Sequence, residues 1–231
     1  MKTFGVLGGL GPQATTDFEV RVHRVAQRLI PQYLNTGYPP MVVYYHRRPP
    51  FVMQHGHTPR FPLQPDPALL DAAHWLGTKA MFLVITANAP HMLLDQIEQA
   101  AGCPILSIID VTLDAIRQRG WRMIGVLGFG DPAVPIYTQP LRQLGLAYET
   151  IEVERQAKLN EAIVQVYEGR ETNESRAIAR DAVAALRSRP VDGIILGCTE
   201  LPLLLQEDAE TTDLVNPAQL LAEAAVQYAL T

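Results

Sequence analysis

Short, uniformly apolar runs alternate along this chain with longer stretches in which apolar residues recur at helical spacing. The runs at residues 4–7, 42–45, 81–85, 105–108, 123–127, 193–196 and 214–215 predict strands. They are apolar throughout instead of alternating with polar positions, the pattern of parallel strands covered by helices on both faces. Strand and helix following one another in this way predict an α/β architecture.

The helical stretches carry readable ends. Asp66-Pro67 supplies an N-cap followed by a proline at the first helical position, and Gly77 marks the end of that helix. Residues 156–168 carry apolar Ala157, Ile163, Val164 and Val166 and stop at Gly169. Asn173-Glu174 starts a helix running to about Ser188, where Pro190 prevents its continuation. Asn216-Pro217 opens a last helix with Leu220, Leu221, Ala224, Ala225 and Tyr228 on its apolar side. Residues 47–65 fit neither period. This proline-rich segment, with His46, His55 and His57 at or beside it, is long for a plain connection and is expected to cover a substrate.

The chain also repeats itself. Phe4-Gly5-Val6-Leu7-Gly8 matches Ile124-Gly125-Val126-Leu127-Gly128, each a strand ending in a glycine-containing turn. Later in each half an apolar strand ends in a polar turn, Thr86-Ala87-Asn88 in the first and Gly197-Cys198-Thr199 in the second. Two duplicated, pseudo-symmetric α/β units with parallel sheets follow from this repeat. Ligands of such sheets bind outside the carboxyl ends of strands, so the four turns are expected to line an active site in the cleft between the units.

Composition narrows the function. The apolar content of the 231 residues is ordinary and supports a sizeable core in one large or two small domains. A formal charge of −5 with no basic stripe argues against nucleic acid as partner. No apolar run approaches the roughly 20 residues of a membrane span, and Met1-Lys2-Thr3-Phe4 enters a strand without signal-peptide architecture. Cys103 and Cys198 lie outside any pair at metal-ligand spacing, so no zinc site is expected and the protein reads as reduced and cytoplasmic.

Two segments carry candidate chemistry. The turn Gly8-Gly9-Leu10-Gly11-Pro12-Gln13-Ala14-Thr15 lacks both the full dinucleotide fingerprint and an acidic ribose ligand downstream. It is either a tight strand-to-helix passage or an amide cradle for a small carboxylate, with Gly9 and Gly11 as the close-approach positions. Cys198, directly after an apolar strand, is either a buried small hydrophobe or a thiol at the mouth of the site, where turn amides favour the thiolate. Cys103 precedes a strand at its other end and reads as structural.

In this order and spacing the motifs resemble the aspartate/glutamate racemase family over essentially the whole chain. Residues 8–15 are similar to its GGxGPxAT opening, Gly197-Cys198-Thr199-Glu200 to its GCTE motif, and Ala87-Asn88-Ala89-Pro90-His91 stands where it carries CNTxH. Residues 155–158 and 175–176 are similar to its second-half helix pair. The resemblance implies two thiols on opposite faces of an amino acid, one removing the α-proton and the other returning a proton, without pyridoxal phosphate or any other cofactor. It further implies a homodimer acting on a small amino acid or dicarboxylate of the aspartate/glutamate kind. Its domains would be residues 1–113 with a returning 206–231, and residues 114–205. Cys198 takes the place of the second thiol, while Gly9, Gly11, Asn88, Ala89, Thr199 and Glu200 take substrate-binding places.

The sequence departs from that pattern at the first thiol. Ala87 stands there and cannot relay a proton, Ala89 replaces a hydroxyl residue, and Asn216 replaces an aspartate. Thr86 is expected to point to the opposite side of the extended chain. His91 is either a proton relay or a solvated helix-start histidine, and Arg47 and Arg48 are candidates for gripping a substrate carboxylate. Three functions stay open: a racemase using Cys198 with a non-cysteine partner, a single-cysteine decarboxylase-like enzyme, and a catalytically weak binding protein for a small carboxylate.

Overall fold

The computed structural model describes residues 1–54, 58–130, 135–206 and 211–231; His55 and His57 lie outside them. The chain divides into two compact units, residues 1–111 with 218–231, and residues 112–217.

In the first unit, β1 (Phe4–Gly8), β2 (Met41–Tyr45), β3 (Phe82–Ile85) and β4 (Ile105–Leu106) form a parallel sheet in the order β2-β1-β3-β4. Helix α1 (Pro12–Leu29) joins β1 to β2, and α2 (Pro67–Gly77) joins β2 to β3. A 3₁₀ turn (Ala89–Leu93) and α3 (Leu94–Ala101) lead on to β4. Asp66 caps α2 by accepting from the Ala68 amide at 2.8 Å. Leu7, Leu83 and Ile85 of the sheet pack with Leu69, Ala73 and Leu76 of α2 and Ile97 of α3. Truncating one of these buried leucines to alanine costs about 2–5 kcal/mol. Gly77 lets α2 reach α3, since a β-carbon there would sit 1.8 Å from the Ala101 carbonyl oxygen.

In the second unit, β5 (Met123–Leu127), β6 (Ala147–Glu149), β7 (Gly193–Leu196) and β8 (Leu214–Val215) form a parallel sheet in the order β6-β5-β7-β8. The helices of this part of the chain are α4 (Ile108–Arg119), within which the division falls, α5 (Pro135–Gln143), α6 (Val153–Tyr167), α7 (Asn173–Arg187) and α8 (Leu201–Leu205). Leu127, Ile194 and Leu196 pack against Leu159, Ile163 and Val166 of α6 and Ala182, Val183 and Leu186 of α7. Thr172 and Ser175 form a reciprocal capping box at the start of α7.

The last helix, α9 (Pro217–Leu230), groups with the first unit from Ala218 onward. Arg21 bonds Gln219 at 3.0 Å, the Lys2 amide bonds the Ala229 carbonyl at 2.7 Å, and Tyr228 meets Phe82 edge-on at 4.7 Å.

The structure corrects the sequence reading in five places. Ile108 begins α4 instead of ending a strand. The short strand β6 carries no apolar run and was not anticipated. The buried stripe of α9 is Ala218, Leu221, Ala222, Ala225, Val226 and Ala229, leaving Leu220 and Ala224 at its edge and Tyr228 36% exposed. Residues 112–113, 206 and 211–217 divide with the second unit, where Leu214–Val215 pairs with β7. The segment 47–65, expected to cover a substrate, carries strand-like pairing that no period in the sequence marks. Isolated antiparallel bridges join Phe51 to Pro65 and Met53 to Pro59, with the Val52 amide on the Gln64 carbonyl at 2.9 Å, so the segment folds back on itself.

Candidate active site

Each sheet places its second and first strands on one side and its third and fourth on the other. The loops after β1 and β3 therefore leave in opposite directions, as do those after β5 and β7. Open α/β sheets bind ligands at such a crevice. The residues at these strand ends are Gly8-Gly9 and Thr86-Ala87 in the first unit, and Gly128 and Gly197-Cys198 in the second.

In the second unit Gly197 makes the turn possible. A β-carbon there would meet the Leu127 carbonyl oxygen at 2.7 Å and the Tyr137 ring at 3.1 Å. Cys198 follows with 5% exposure, and Glu200, fully buried, stands at the start of α8. Three donors converge on one carboxylate oxygen. Cys198 Sγ, Thr199 Oγ1 and the Tyr167 hydroxyl each lie 3.1 Å from Glu200 Oε2. The other oxygen, Oε1, is buried without a hydrogen-bond partner among the described residues.

Burial dominates the electrostatics of this cluster. It raises the Glu200 carboxyl above its usual range, against the pull of the three donors. Burial first and the Glu200 charge second push the Cys198 thiol well up. The Glu200 amide acts on the sulfur in the direction expected from the sequence, toward thiolate, but burial outweighs it. The resting sulfur is thus a thiol donating to Glu200 Oε2, and the expectation of a turn-stabilised thiolate is corrected. Tyr167 is likewise raised by burial and by the Cys198 and Glu200 charges.

The β5 turn is held from α6. Gln156 Nε2 donates to the Gly128 carbonyl at 2.8 Å, the Gly130 amide donates to Asn160 Oδ1 at 2.9 Å, and Asn160 Nδ2 donates to the Gly130 carbonyl at 3.2 Å.

In the first unit, Gly9 has φ +77°, and a β-carbon there would lie 2.7 Å from the His46 nitrogen, so only glycine fits. Thr15 organises the turn. Its hydroxyl accepts from the Gly9 amide at 2.8 Å, donates to the Gly11 carbonyl at 3.0 Å and bonds Thr86 Oγ1 at 2.8 Å. Thr86 is buried and committed to this contact. Gly11 is the N-cap of α1. Asn88 is buried, while Ala87 and Ala89 are partly exposed. His46 is buried, and its Nε2 has no partner among the described residues.

His91 is partly buried, with both ring nitrogens engaged. Its Nδ1–H donates to the Ala87 carbonyl at 3.0 Å, and its Nε2 accepts from the Ile108 amide at 3.3 Å. Burial holds the ring down to about 4, so it is neutral, and both nitrogens serve the backbone. Arg48 makes an exposed ion pair with Asp66 at 3.4 Å, and Arg47 lies over the Tyr45 ring at 4.7 Å. Asn216 is buried just ahead of α9.

Tyr137, Tyr167, Gln156, Asn160 and Thr15 had no signal as isolated residues. Thr15 and Gln156 lay inside stretches that resemble the family, without a role of their own. No group of acidic, histidine and cysteine side chains among the described residues could hold a metal, and none of their helices is long and apolar enough to cross a membrane.

The family model for Asp/Glu/Hydantoin racemase matches residues 7–225. RacX of Bacillus subtilis (strain 168), a broad specificity amino-acid racemase, is 25% identical over 232 residues, covering 96% of this chain and 96% of its own. An aspartate racemase homologue from Pyrococcus horikoshii OT3 superposes with a TM-score of 0.78 at 24% identity over 100% of both chains. The aspartate racemase of Picrophilus torridus does so at 0.78 and 19%, over 99% of this chain and 94% of its own. At these identities the structures speak for the fold, two parallel-sheet α/β units. With that fold in place and the family pattern matched over nearly its whole length, the chain belongs to the Asp/Glu/Hydantoin racemase family.

Proposed function

We propose that this chain is a racemase-family enzyme that exchanges the α-proton of an amino acid through Cys198 without pyridoxal phosphate, with Glu200 as the proton partner of the thiol and inversion requiring a further donor on the opposite face. The observation that carries the reading is the thiol-to-carboxylate hydrogen bond at the carboxyl end of β7. An α-proton is weakly acidic, so its removal requires a thiolate close to the α-carbon and stabilisation of the enediolate-like carboxylate. Glu200 Oε2 takes the proton of Cys198, the thiolate takes the α-proton, and the substrate anion is left planar. Return of a proton from the re-formed thiol and then of the stored proton from Glu200 restores the resting state. The raised carboxyl of Glu200 suits it to hold that proton.

Ala87 favours a second reading. With no thiol at that position, protonation from a single face is the natural outcome, as in decarboxylation followed by one-sided proton delivery. The acidic amino acids that name the family are the first substrates to test, and a homodimer in a reducing cytoplasm belongs to the same proposal.

The test is α-proton exchange in deuterated water, read by NMR on both enantiomers of candidate amino acids, with Cys198→Ala as control. Exchange that vanishes in the variant supports the reading. Loss of carbon dioxide from a substituted malonate would move it to the decarboxylase, and ligand binding that survives Cys198→Ala with no exchange by the native chain would move it to a binding protein.

A further inference from the structure

The second unit contains a recess of about 40 Å³, lined in part by Gly197, the residue before Cys198. Phe129, Ile136, Tyr137, Thr150 and Gln156 also line it, and none of the described lining residues carries a formal charge. It lies at the crevice between β5 and β7, where ligands of such sheets sit. Its polar groups are largely committed. Gln156 Nε2 serves the Gly128 carbonyl and Asn160 Oδ1, each at 2.8 Å, and Tyr137 is hydrogen-bonded to Thr112. Arg189, which bonds the Thr150 carbonyl at 2.6 Å, is held by Glu149 and Glu152. A carboxylate entering the recess would meet no counter-charge among its lining residues, and burying an unpaired charge is strongly disfavoured. A volume of about 40 Å³ is roughly three times the 10–15 Å³ that one water requires, so a small aliphatic group fits and a long one does not.

We propose that this recess receives the side chain of the substrate and selects small uncharged amino acids, of the size of alanine to valine, over aspartate and glutamate. The proposal rests on α-proton chemistry at Cys198 and assigns the substrate class of that site. An acidic side chain here leaves its charge unpaired, whereas a methyl or isopropyl group displaces water from an apolar wall. Discrimination of this kind is worth at least about tenfold in rate.

The experiment measures α-proton exchange by the full chain with alanine, 2-aminobutyrate, valine, aspartate and glutamate, both enantiomers of each. The expected result is that alanine or 2-aminobutyrate exchanges at least about tenfold faster than either acidic amino acid. Thr150→Leu, which fills the recess, is expected to lower the valine-to-alanine rate ratio by about tenfold. Aspartate or glutamate exchanging as fast as the small amino acids overturns the recess assignment and leaves Cys198 chemistry standing. A Thr150→Leu variant that stays folded and slows all substrates in equal proportion overturns it as well. Absence of exchange with every amino acid overturns the α-proton reading itself, and the assignment with it.

Discussion

Cys198 Sγ lies 3.1 Å from Glu200 Oε2, and the sulfur is the donor. A thiol that donates to a carboxylate two residues away has its proton acceptor built into the same turn. All three donors of the cluster reach Oε2 and none reaches Oε1. Oε2 is therefore the oxygen that a proton leaving the thiol can reach.

Glu200→Gln is expected to lower α-proton exchange by about 10²-fold or more, the usual worth of a positioned proton acceptor. The same substitution removes a negative charge that raises the thiol. Iodoacetamide should then modify Cys198 faster at a given pH although catalysis is slower. Alkylation and exchange falling together would point to a damaged turn instead.

The pH profile of the native thiol follows from burial and the Glu200 charge, both of which disfavour the thiolate. Alkylation of Cys198, followed peptide by peptide in a mass spectrometer, should still be rising above pH 9, the ordinary midpoint for a thiol. A profile that levels below pH 9 would show a stabilised thiolate and leave Glu200 with no proton to accept.

His91 makes an acid-side prediction. Its ring is neutral in the fold, with the midpoint lowered from 6.5 to about 4 by burial. Stability from the neutral ring is complete above pH 6.5 and is lost as pH falls toward 4, because the unfolded chain binds the proton first. At roughly 1.4 kcal/mol per unit the loss is at most about 3 kcal/mol. Denaturant unfolding between these pH values should show a shallower slope in His91→Gln than in the native chain, and equal slopes would mean that the ring is not held neutral.

Ala87→Cys tests the vacant proton-transfer position. The native chain is expected to exchange the α-proton of one enantiomer with retention. The added thiol should raise inversion by about 10²–10⁴-fold. Rapid racemisation by the native chain would assign the second proton to another group, and an inert Ala87→Cys with an active Cys198 would favour decarboxylation.

Much of the fold was legible because parallel strands covered on both faces are written as unbroken apolar runs, and because Asp66, Gly77, Gly169 and Pro190 punctuate the helices. β6 escaped notice because Ala147-Tyr148-Glu149 is a short edge strand with no apolar run to mark it. The α9 stripe was misplaced because Ala222, Val226 and Ala229 carry the buried face while the larger Leu220 sits at its edge. Cys198 could be read from its position after a strand, while Glu200 came only with the family resemblance, and as a substrate-binding residue. Tyr167 could not be read, since it lies 33 residues from Glu200 and only the packing of α6 brings its hydroxyl there. The role of His91 stayed open because its two partners, the Ala87 carbonyl and the Ile108 amide, are backbone groups that no residue pattern reveals.

The turn that carries Ala87 is held in place by other residues: the imidazole of His91 grips its carbonyl, and the hydroxyls of Thr15 and Thr86 fasten the strand end beside it. The side chain at 87 is not part of that fastening. A position whose backbone is secured from outside can exchange its side chain over evolutionary time without unravelling the fold, so reaction type becomes a one-residue variable on a constant scaffold. Loss or gain of a thiol at this point is then a small mutational step, and members of one fold can diverge in stereochemical outcome while remaining almost superimposable.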